Sequence, residues 1–223
     1  MRPARFWLIL ASLAGRGDDL GPLVIRAVEE RSGEAFRGKG YWWPRDEAVR
    51  FDGTTRDLVY RGETIARGDP ERRGRTYCCG LTFEVWFRAW ELWAAERGVA
   101  ELRIAALPAG RLRELKADWF NARGNRGGPV DALVPRGLGR RVENLEEARA
   151  GDFVQLWRKD GSGHSVVFRA WEREGGGIVG LRYWSTQKAT DGIGERVERF
   201  DGDRPVLRDQ LFVARAFVPE PPR

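Results

Sequence analysis

The sequence predicts an α+β domain, with helices in the first half of the chain and an antiparallel sheet in the second. Residues 80–97 carry apolar side chains at helical spacing, whereas three segments between residues 152 and 187 alternate as strands do. The 28 glycines and 11 prolines favour many turns over a helical bundle. With 223 residues, of which 42% are hydrophobic, the chain is long enough to bury the core of one domain.

The first 14 residues resemble a secretory signal peptide. Arg2 and Arg5 precede a short apolar run, and Ser12 and Ala14 supply the small residues of a cleavage site. The alternative is a buried N-terminal strand or helix of a cytoplasmic protein, because the apolar run is short. We therefore expect a single domain over residues 15–223, secreted or in the cell envelope under the first interpretation. No later segment reaches the roughly 20 apolar residues of a membrane span.

Two irregular stretches are predicted to be insertions around the core. A helix is expected over residues 22–31, and the irregular residues 33–75 follow it, with a candidate hairpin near residues 60–64. The second insertion, residues 111–141, begins like a helix and continues as a glycine-rich loop.

The only two cysteines of the chain lie together where a helix should begin. Cys78 and Cys79 directly precede the periodic segment of residues 80–97, and Gly98 supplies its stop signal. A cysteine in the first turn of a helix meets unpaired backbone N–H groups and the positive end of the helix dipole, which favour the nucleophilic thiolate. The alternative is that both cysteines are small residues of the core.

The only histidine begins the second of the three predicted strands. These strands are residues 152–157, 164–172 and 178–187. If the second and third strands pair about the turn between them, opposed residue numbers sum to 351, which puts Gln187 opposite His164. A register shift of two would bring Ser185 to that place, and a slip of one residue would bring Thr186.

The net charge of +6 comes from 39 basic residues interspersed with 33 acidic ones. The densest basic cluster is short, comprising Arg72, Arg73 and Arg75. No zinc-finger, RNA-recognition or basic-helix motif accompanies the charge, so no nucleic-acid partner is expected. Most of the charge should form a solvated surface, and attraction to an anionic envelope polymer would explain it equally well.

Two short motifs surround Cys78 and His164. Tyr77-Cys-Cys-Gly-Leu81 resembles the Asp-Cys-Ser-Gly-Leu motif of NlpC-type papain-like cysteine peptidases and amidases, a superfamily related to the CHAP amidases. Gly151-Asp-Phe-Val, followed by Gly163-His-Ser-Val-Val-Phe168, is similar to the family's second block, Gly-Asp-(Leu/Val) and then Gly-His-Val-Gly-Ile-Tyr. The chain departs from the pattern at Tyr77, where the family has an acid, and in the long separation of the two motifs.

This resemblance implies a papain-like fold, in which the nucleophile begins a helix that packs on the antiparallel sheet. It implies Cys78 as the nucleophile, His164 as the general base and Gln187 as the third polar residue. Alternates for these roles are Cys79 and Ser185. The implied reaction is hydrolysis of a peptide or amide bond through a thioester, without cofactor or metal, by a monomer. Bacterial cell-wall peptides of peptidoglycan are the candidate substrate.

Several aromatic residues are weaker candidates. Tyr77, Tyr41 and Trp184 are candidate substrate contacts, and the hydroxyls of Tyr41 and Tyr60 are candidate donors to an oxyanion, although large aromatic residues lie more often in the core. Two other functions remain open: a non-catalytic cell-envelope binding protein on the same fold, and an acyltransferase that uses the same thioester chemistry. A zinc site is disfavoured, because adjacent cysteines are poorly spaced for tetrahedral ligation.

Overall fold

The structure is a computed structural model that describes residues 17–36, 38–44, 46 and 48–220. The candidate signal peptide therefore lies outside the described residues. The helices are α1 (Gly21–Ser32), α2 (Cys78–Glu96), α3 (Ala109–Trp119) and α4 (Pro129–Leu133). The strands are β1 (Asp18–Asp19), β2 (Leu58–Tyr60), β3 (Glu63–Ala66), β4 (Gly139–Arg141), β5 (Phe153–Trp157), β6 (Gly163–Glu174), β7 (Gly177–Gln187), β8 (Gly192–Arg199) and β9 (Phe212–Val218).

Apart from β1, the strands of the large sheet lie in the C-terminal half of the chain, as the α+β prediction requires. Its strands follow the order β1-β9-β5-β6-β7-β8, with β4 also paired to β9, and every pairing is antiparallel. The three strands predicted from sequence correspond to β5, β6 and β7, with ends that differ by at most two residues. Strands β8 and β9 were not predicted from the sequence, and β9 lies between β1 and β5.

The register between β6 and β7 is the predicted one near the histidine. Val167 pairs with Trp184 and Phe168 with Tyr183, and both pairs sum to 351. Farther along the strands the register shifts after Phe168 and again after Glu172, as it does at a β-bulge. Because neither shift lies between Val167 and the start of β6, His164 and Gln187 lie at the same end of the two strands.

Helix α2 is buried over most of its surface, which explains why apolar side chains lie on several of its faces. Its fully buried side chains include Phe83, Trp86, Phe87 and Trp90. Helix α1 packs beside α2, and Arg31 of α1 donates a 2.8 Å hydrogen bond to the buried carboxylate of Glu84. The helix predicted to begin near residue 80 is confirmed, and it begins at the first cysteine.

The two insertions are more ordered than the sequence predicted. Residues 33–75 contain the expected hairpin, in which β2 and β3 pair Tyr60 with Glu63 across a turn. Gly62 in that turn has a φ of 80°, a conformation that glycine adopts without strain. Residues 111–141 contain most of α3 and then two short elements, α4 and β4, which were not predicted from the sequence.

No helix in the part of the chain that the structure describes is long and apolar enough to cross a membrane.

Candidate active site

Cys78 is the first residue of α2 and follows Tyr77, whose backbone is extended. The first backbone hydrogen bond of the helix runs from the Leu81 N–H to the Tyr77 carbonyl, at 3.0 Å. The N–H groups of the three residues before Leu81 therefore have no carbonyl within the helix to bond to. The Cys78 thiol thus lies at the positive end of the helix dipole, as the sequence predicted.

A cavity of about 620 Å³ contains both Cys78 and His164 in its lining. Gln187 and Tyr41 line the same cavity. Cys79 is absent from its described lining; it is 6% exposed and belongs to the hydrophobic core. The two cysteine side chains thus have different surroundings, because successive residues of a helix point about 100° apart.

The two thiols have opposite pKa shifts. A hydrogen bond from the Cys79 thiol holds the pKa of Cys78 well below its usual range, although burial opposes this effect. The positive charge and hydrogen bond of His164 and the backbone N–H of Ser165 lower the pKa of Cys78 further. Burial raises the pKa of Cys79, and the neighbouring Cys78 adds to that effect. Cys78 is therefore the thiol that ionises first.

His164 and Gln187 are both buried, with 6% and 9% of their surfaces exposed. The Nε2 atom of each side chain is buried and has no hydrogen-bond partner among the described residues. The Tyr183 ring packs edge-on against the imidazole, with 5.5 Å between the ring centroids. The imidazole is thus held in place by packing, with one nitrogen lacking a partner.

A hydrogen-bonded chain extends from Gln187 to a buried ion pair. The Tyr183 hydroxyl lies 3.0 Å from Gln187 Oε1 and 2.5 Å from Glu198 Oε1. Arg158 donates two hydrogen bonds of 2.6 Å to the Glu198 carboxylate. Burial acts to raise the pKa of Glu198, but the hydrogen bonds from Arg158 and Tyr183 bring it below its usual range. Glu198 is therefore a carboxylate that accepts the hydrogen of Tyr183.

A second hydrogen-bond network connects α2 to β6 beside Cys78 and His164. Thr82 Oγ1 lies 2.8 Å from Ser165 Oγ and also accepts a 3.1 Å hydrogen bond from Trp119 Nε1. Thr82 is one turn after Cys78, and Ser165 is adjacent to His164. The network therefore joins the helix that carries the thiol to the strand that carries the imidazole.

The alternates to Gln187 are occupied elsewhere. Ser185 donates a 2.8 Å hydrogen bond to the Ser165 carbonyl, and the Thr186 hydroxyl accepts one of 2.9 Å from Thr76. Neither side chain belongs to the described lining of the cavity that contains His164. In the observed register, the side chains of Ser185 and Thr186 therefore form hydrogen bonds to neighbouring segments of the chain.

Three aromatic candidates lie in the core, outside the described lining of the cavity. Tyr77 packs against Trp43 and Phe51, and Trp184 donates a hydrogen bond to Ser32 of α1. Neither residue belongs to the described lining of the cavity that contains Cys78, so that cavity gives no support to their predicted role as substrate contacts. Tyr60 is 1% exposed and donates its hydroxyl hydrogen to the Leu107 carbonyl, which also removes it as an oxyanion donor.

Tyr41 is the weaker candidate that does line the cavity with Cys78. It forms an isolated parallel bridge with Thr76, two residues before Cys78. Burial raises the pKa of Tyr41, and the neighbouring thiols Cys78 and Cys79 raise it further. Its hydroxyl is therefore neutral and available as a hydrogen-bond donor.

Other polar residues of the cavity were missed in the sequence. Arg158 and Glu198 line it, and a basic rim comprises Lys188, Arg196, Arg199 and Arg204. Most of these residues belong to β8 or to the turns beside it. Because a buried residue of β8 is the glutamate Glu198 rather than an apolar side chain, the strand lacks the alternation that signals a half-buried strand.

Within the described residues, no three His, Cys, Asp or Glu side chains are grouped so that they could hold a metal ion. Comparisons of the chain with protein-family models, with curated proteins and with solved structures found no match.

Proposed function

We propose that the chain is a papain-like thiol hydrolase that cleaves peptide or amide bonds. Cys78 is the nucleophile, His164 the general base and Gln187 the group that orients the imidazole. One observation carries the proposal: a thiol at a helix N-terminus shares a cavity with the only histidine, and its pKa is lowered. The adjacent Cys79 has neither property, which argues against a purely structural origin of the arrangement.

The reaction proceeds through an acyl-enzyme. The Cys78 thiolate attacks the amide carbonyl carbon, and a C–S bond forms as the carbonyl π electrons move to the oxygen. The imidazolium of His164 gives its proton to the leaving nitrogen as the C–N bond breaks. Water then attacks the thioester while His164 takes a proton from it, and the carboxylic acid and the Cys78 thiolate are released.

Gln187 fits the orienting role when its amide nitrogen faces Tyr183. The Tyr183 hydroxyl has a single hydrogen, which goes to the charged Glu198, so its oxygen can only accept from the Gln187 amide. Rotation of the Gln187 amide by 180° lets its nitrogen donate to the Tyr183 hydroxyl oxygen. The amide oxygen then occupies the position of the unpartnered Gln187 Nε2. We infer that this oxygen accepts from the unpartnered Nε2–H of His164, which lines the same cavity. The tautomer with hydrogen on Nε2 leaves Nδ1 for Cys78.

Backbone and side-chain donors near Cys78 support an oxyanion site. The N–H groups at the start of α2 are free of helical partners, and the neutral Tyr41 hydroxyl lies in the same cavity. Such donors stabilise the negative charge that develops on the carbonyl oxygen in the transition state. We assign Tyr41 as the side-chain donor of this site.

The basic rim of the cavity favours substrates that carry a negative charge near the scissile bond. Arg199 is paired with Glu174 and Asp201, and Arg204 with Asp160. Lys188 has no ion pair with a described residue, and Arg196 lies 3.7 Å from the already neutralised Glu198. Peptides with free carboxylates, including those of peptidoglycan, have the matching charge.

Digestion of purified peptidoglycan and of a panel of acidic and neutral peptide amides, with products identified by mass, tests this function. The native protein and Cys79→Ala should release products, whereas Cys78→Ala and His164→Ala should release none. Acidic peptides should be cleaved with a higher kcat/KM than their neutral amides. Release that persists in a folded Cys78→Ala variant would contradict the proposed nucleophile.

The same assay separates the other two functions. For an acyltransferase, added amines would collect the acyl group in preference to water, and Cys78 would still be required. For a non-catalytic binding protein, no product would form with any substrate, and Cys78→Ala would bind peptidoglycan as the native protein does.

A further inference from the structure

A second cavity of about 620 Å³ lies in the insertion of residues 33–75. It shares no lining residue with the cavity that contains Cys78. Its cationic lining residues are Lys39, Arg50, Arg56, Arg67, Arg72 and Arg73, against two acidic residues, Asp57 and Asp69. The six cations and two carboxylates leave an excess of four positive charges.

The two carboxylates of this second cavity are occupied by the loop itself. Asp69 accepts hydrogen bonds from three backbone N–H groups and from the guanidinium of Arg75, and its side chain is fully buried. Asp57 accepts the backbone N–H of Gly68 at 2.8 Å. These bonds hold the loop of residues 67–75 in shape, and they reduce the capacity of both carboxylates to neutralise the surrounding arginines.

Two arginines of the loop make no ion pair with any residue that the structure describes. Arg67 and Arg72 are both exposed, whereas Arg56 is paired with Glu91 and Arg73 with Glu71. Arg72 also has a φ of 56°, in the left-handed region that non-glycine residues rarely adopt. A backbone strain of this kind at a cavity wall is consistent with a side chain retained for binding.

We propose that this second cavity binds a small ligand with two phosphate groups. Five of its six cations are arginines, and the planar guanidinium donates paired hydrogen bonds that match the oxygens of a phosphate. The volume is that of a small-molecule site rather than of a flat polymer-binding face. Two unpaired arginines on one loop supply one guanidinium for each phosphate.

Calorimetric titration of the native protein with inorganic pyrophosphate tests the proposal, with orthophosphate and sulfate at equal ionic strength as comparison anions. Pyrophosphate should bind at least about tenfold more tightly than either one, because two phosphate groups engage two guanidinium groups. The double variant Arg67→Gln/Arg72→Gln should lose at least about tenfold in affinity. A control of equal net charge, Arg123→Gln/Arg140→Gln, should keep the native affinity.

Arg72→Gly distinguishes loss of binding from loss of fold. Glycine relieves the strain of the left-handed backbone at residue 72. The melting temperature of the Arg72→Gly variant should therefore equal or exceed that of the native protein, while pyrophosphate binds more weakly. Equal binding of pyrophosphate and sulfate would overturn the proposal. Equal losses of affinity in the two double variants would overturn it as well.

Discussion

The adjacent cysteines differ because one side chain faces a histidine and the other faces the core. Cys78 lines the cavity and has a lowered pKa, whereas Cys79 is surrounded by apolar residues that raise its pKa. The hydrogen bond from the Cys79 thiol, the charge of His164 and the Ser165 N–H lower the pKa of Cys78, and the N-terminal dipole of α2 favours its thiolate as well. The difference in pKa is thus a property of position, since the two residues are chemically identical.

At Tyr41 we expect a change in kcat rather than in stability. Tyr41→Phe removes the hydroxyl proposed to stabilise the oxyanion, so kcat should fall about tenfold to a hundredfold with little change in KM. Tyr60→Phe is the matched control, because the Tyr60 hydroxyl bonds the Leu107 carbonyl instead. Steady-state kinetics on one peptide substrate checks both variants, and an unchanged kcat in Tyr41→Phe would remove Tyr41 from the oxyanion site.

Gln187 should be required for imidazole orientation, and its neighbour Ser185 should not. Gln187→Ala is expected to lower kcat about tenfold or more and to alter the pH profile, because the His164 tautomer is no longer fixed. Ser185→Ala removes a hydrogen bond to the Ser165 carbonyl and should lower stability by about 1 kcal/mol with a native pH profile. An identical pH profile for Gln187→Ala and the native protein would contradict the orienting role.

The sequence predicted the members of the site whose local patterns were visible. The helix start indicated the cysteine pair, the family resemblance implied Cys78, and the hairpin arithmetic gave Gln187, with Ser185 or Thr186 under other registers. Glu198 and Arg158 were missed, because their pairing depends on β8 lying beside β7. No local pattern in the sequence encodes that long-range contact.

At the scale of elements, the start of α2 packs closely against the loop at residues 52–53. A Cβ atom at Gly80 would lie 2.0 Å from the Asp52 carbonyl oxygen, a distance that only movement of the backbone could relieve. The glycine of the Cys-x-Gly-Leu pattern is therefore needed for close packing of the helix start. This contact fixes the position of Cys78, at the start of α2, relative to the cavity.

Gly80→Ala should destabilise the fold by about 2 kcal/mol or more, because the added methyl group overlaps the backbone. Gly110→Ala in α3 is the matched control. A Cβ atom there would meet no atom within 4 Å, and alanine should stabilise that helix by about 0.5–1 kcal/mol. Denaturant unfolding of both variants measures the two free energies. Equal changes in the free energy of unfolding for Gly80→Ala and Gly110→Ala would contradict the close packing of the start of α2 on residues 52–53.

The elements missed in the sequence were missed for different physical reasons. Helix α4 has five residues and β4 has three, so neither is long enough to show a period. Strand β9 has a single polar residue, Arg215, and so lacks a clear alternation, and its place between β1 and β5 depends on tertiary contacts. Helices α1 and α2 and the strands β5 to β7 were predictable, because each buries a long face with a clear pattern.

At the scale of the whole molecule, the ion pair of Asp69 and Arg75 couples stability to pH. Burial acts to raise the pKa of Asp69, but the hydrogen bonds from Arg75 and from backbone N–H groups lower it to about 2. An unfolded aspartate has a pKa of about 3.9. The stability that this group contributes is therefore complete above about pH 4 and is lost as the pH falls towards 2.

Asp69→Asn should lower the free energy of unfolding at neutral pH and should flatten its decline between about pH 4 and pH 2. Asp203→Asn, at an exposed turn, is the control and should keep the native pH dependence. Unfolding by urea at a series of pH values measures both curves. An Asp69→Asn curve parallel to the native one would contradict the linkage.

The fold brings together two residues that are far apart in the sequence. Cys78 is carried by a buried helix of the first half, and His164 by a central strand of the second half. Thr82 and Ser165 connect these two elements beside the site. The central claim is that this assembly makes Cys78 an activated thiol.

The rate of alkylation of each cysteine between about pH 5 and pH 9, mapped by mass, tests that claim most directly. In the native protein, Cys78 should react rapidly below the pH at which an ordinary thiol ionises, because its pKa is lowered. In Cys79→Ala, which loses the hydrogen bond from the Cys79 thiol, the pKa of Cys78 should rise but stay below that of an ordinary thiol, because His164 and the Ser165 N–H remain. In His164→Ala the reaction of Cys78 should slow at least about tenfold near pH 6 and should recover as the pH rises. Equally slow labelling of both cysteines, or a Cys78 rate unaffected by His164→Ala, would contradict the account.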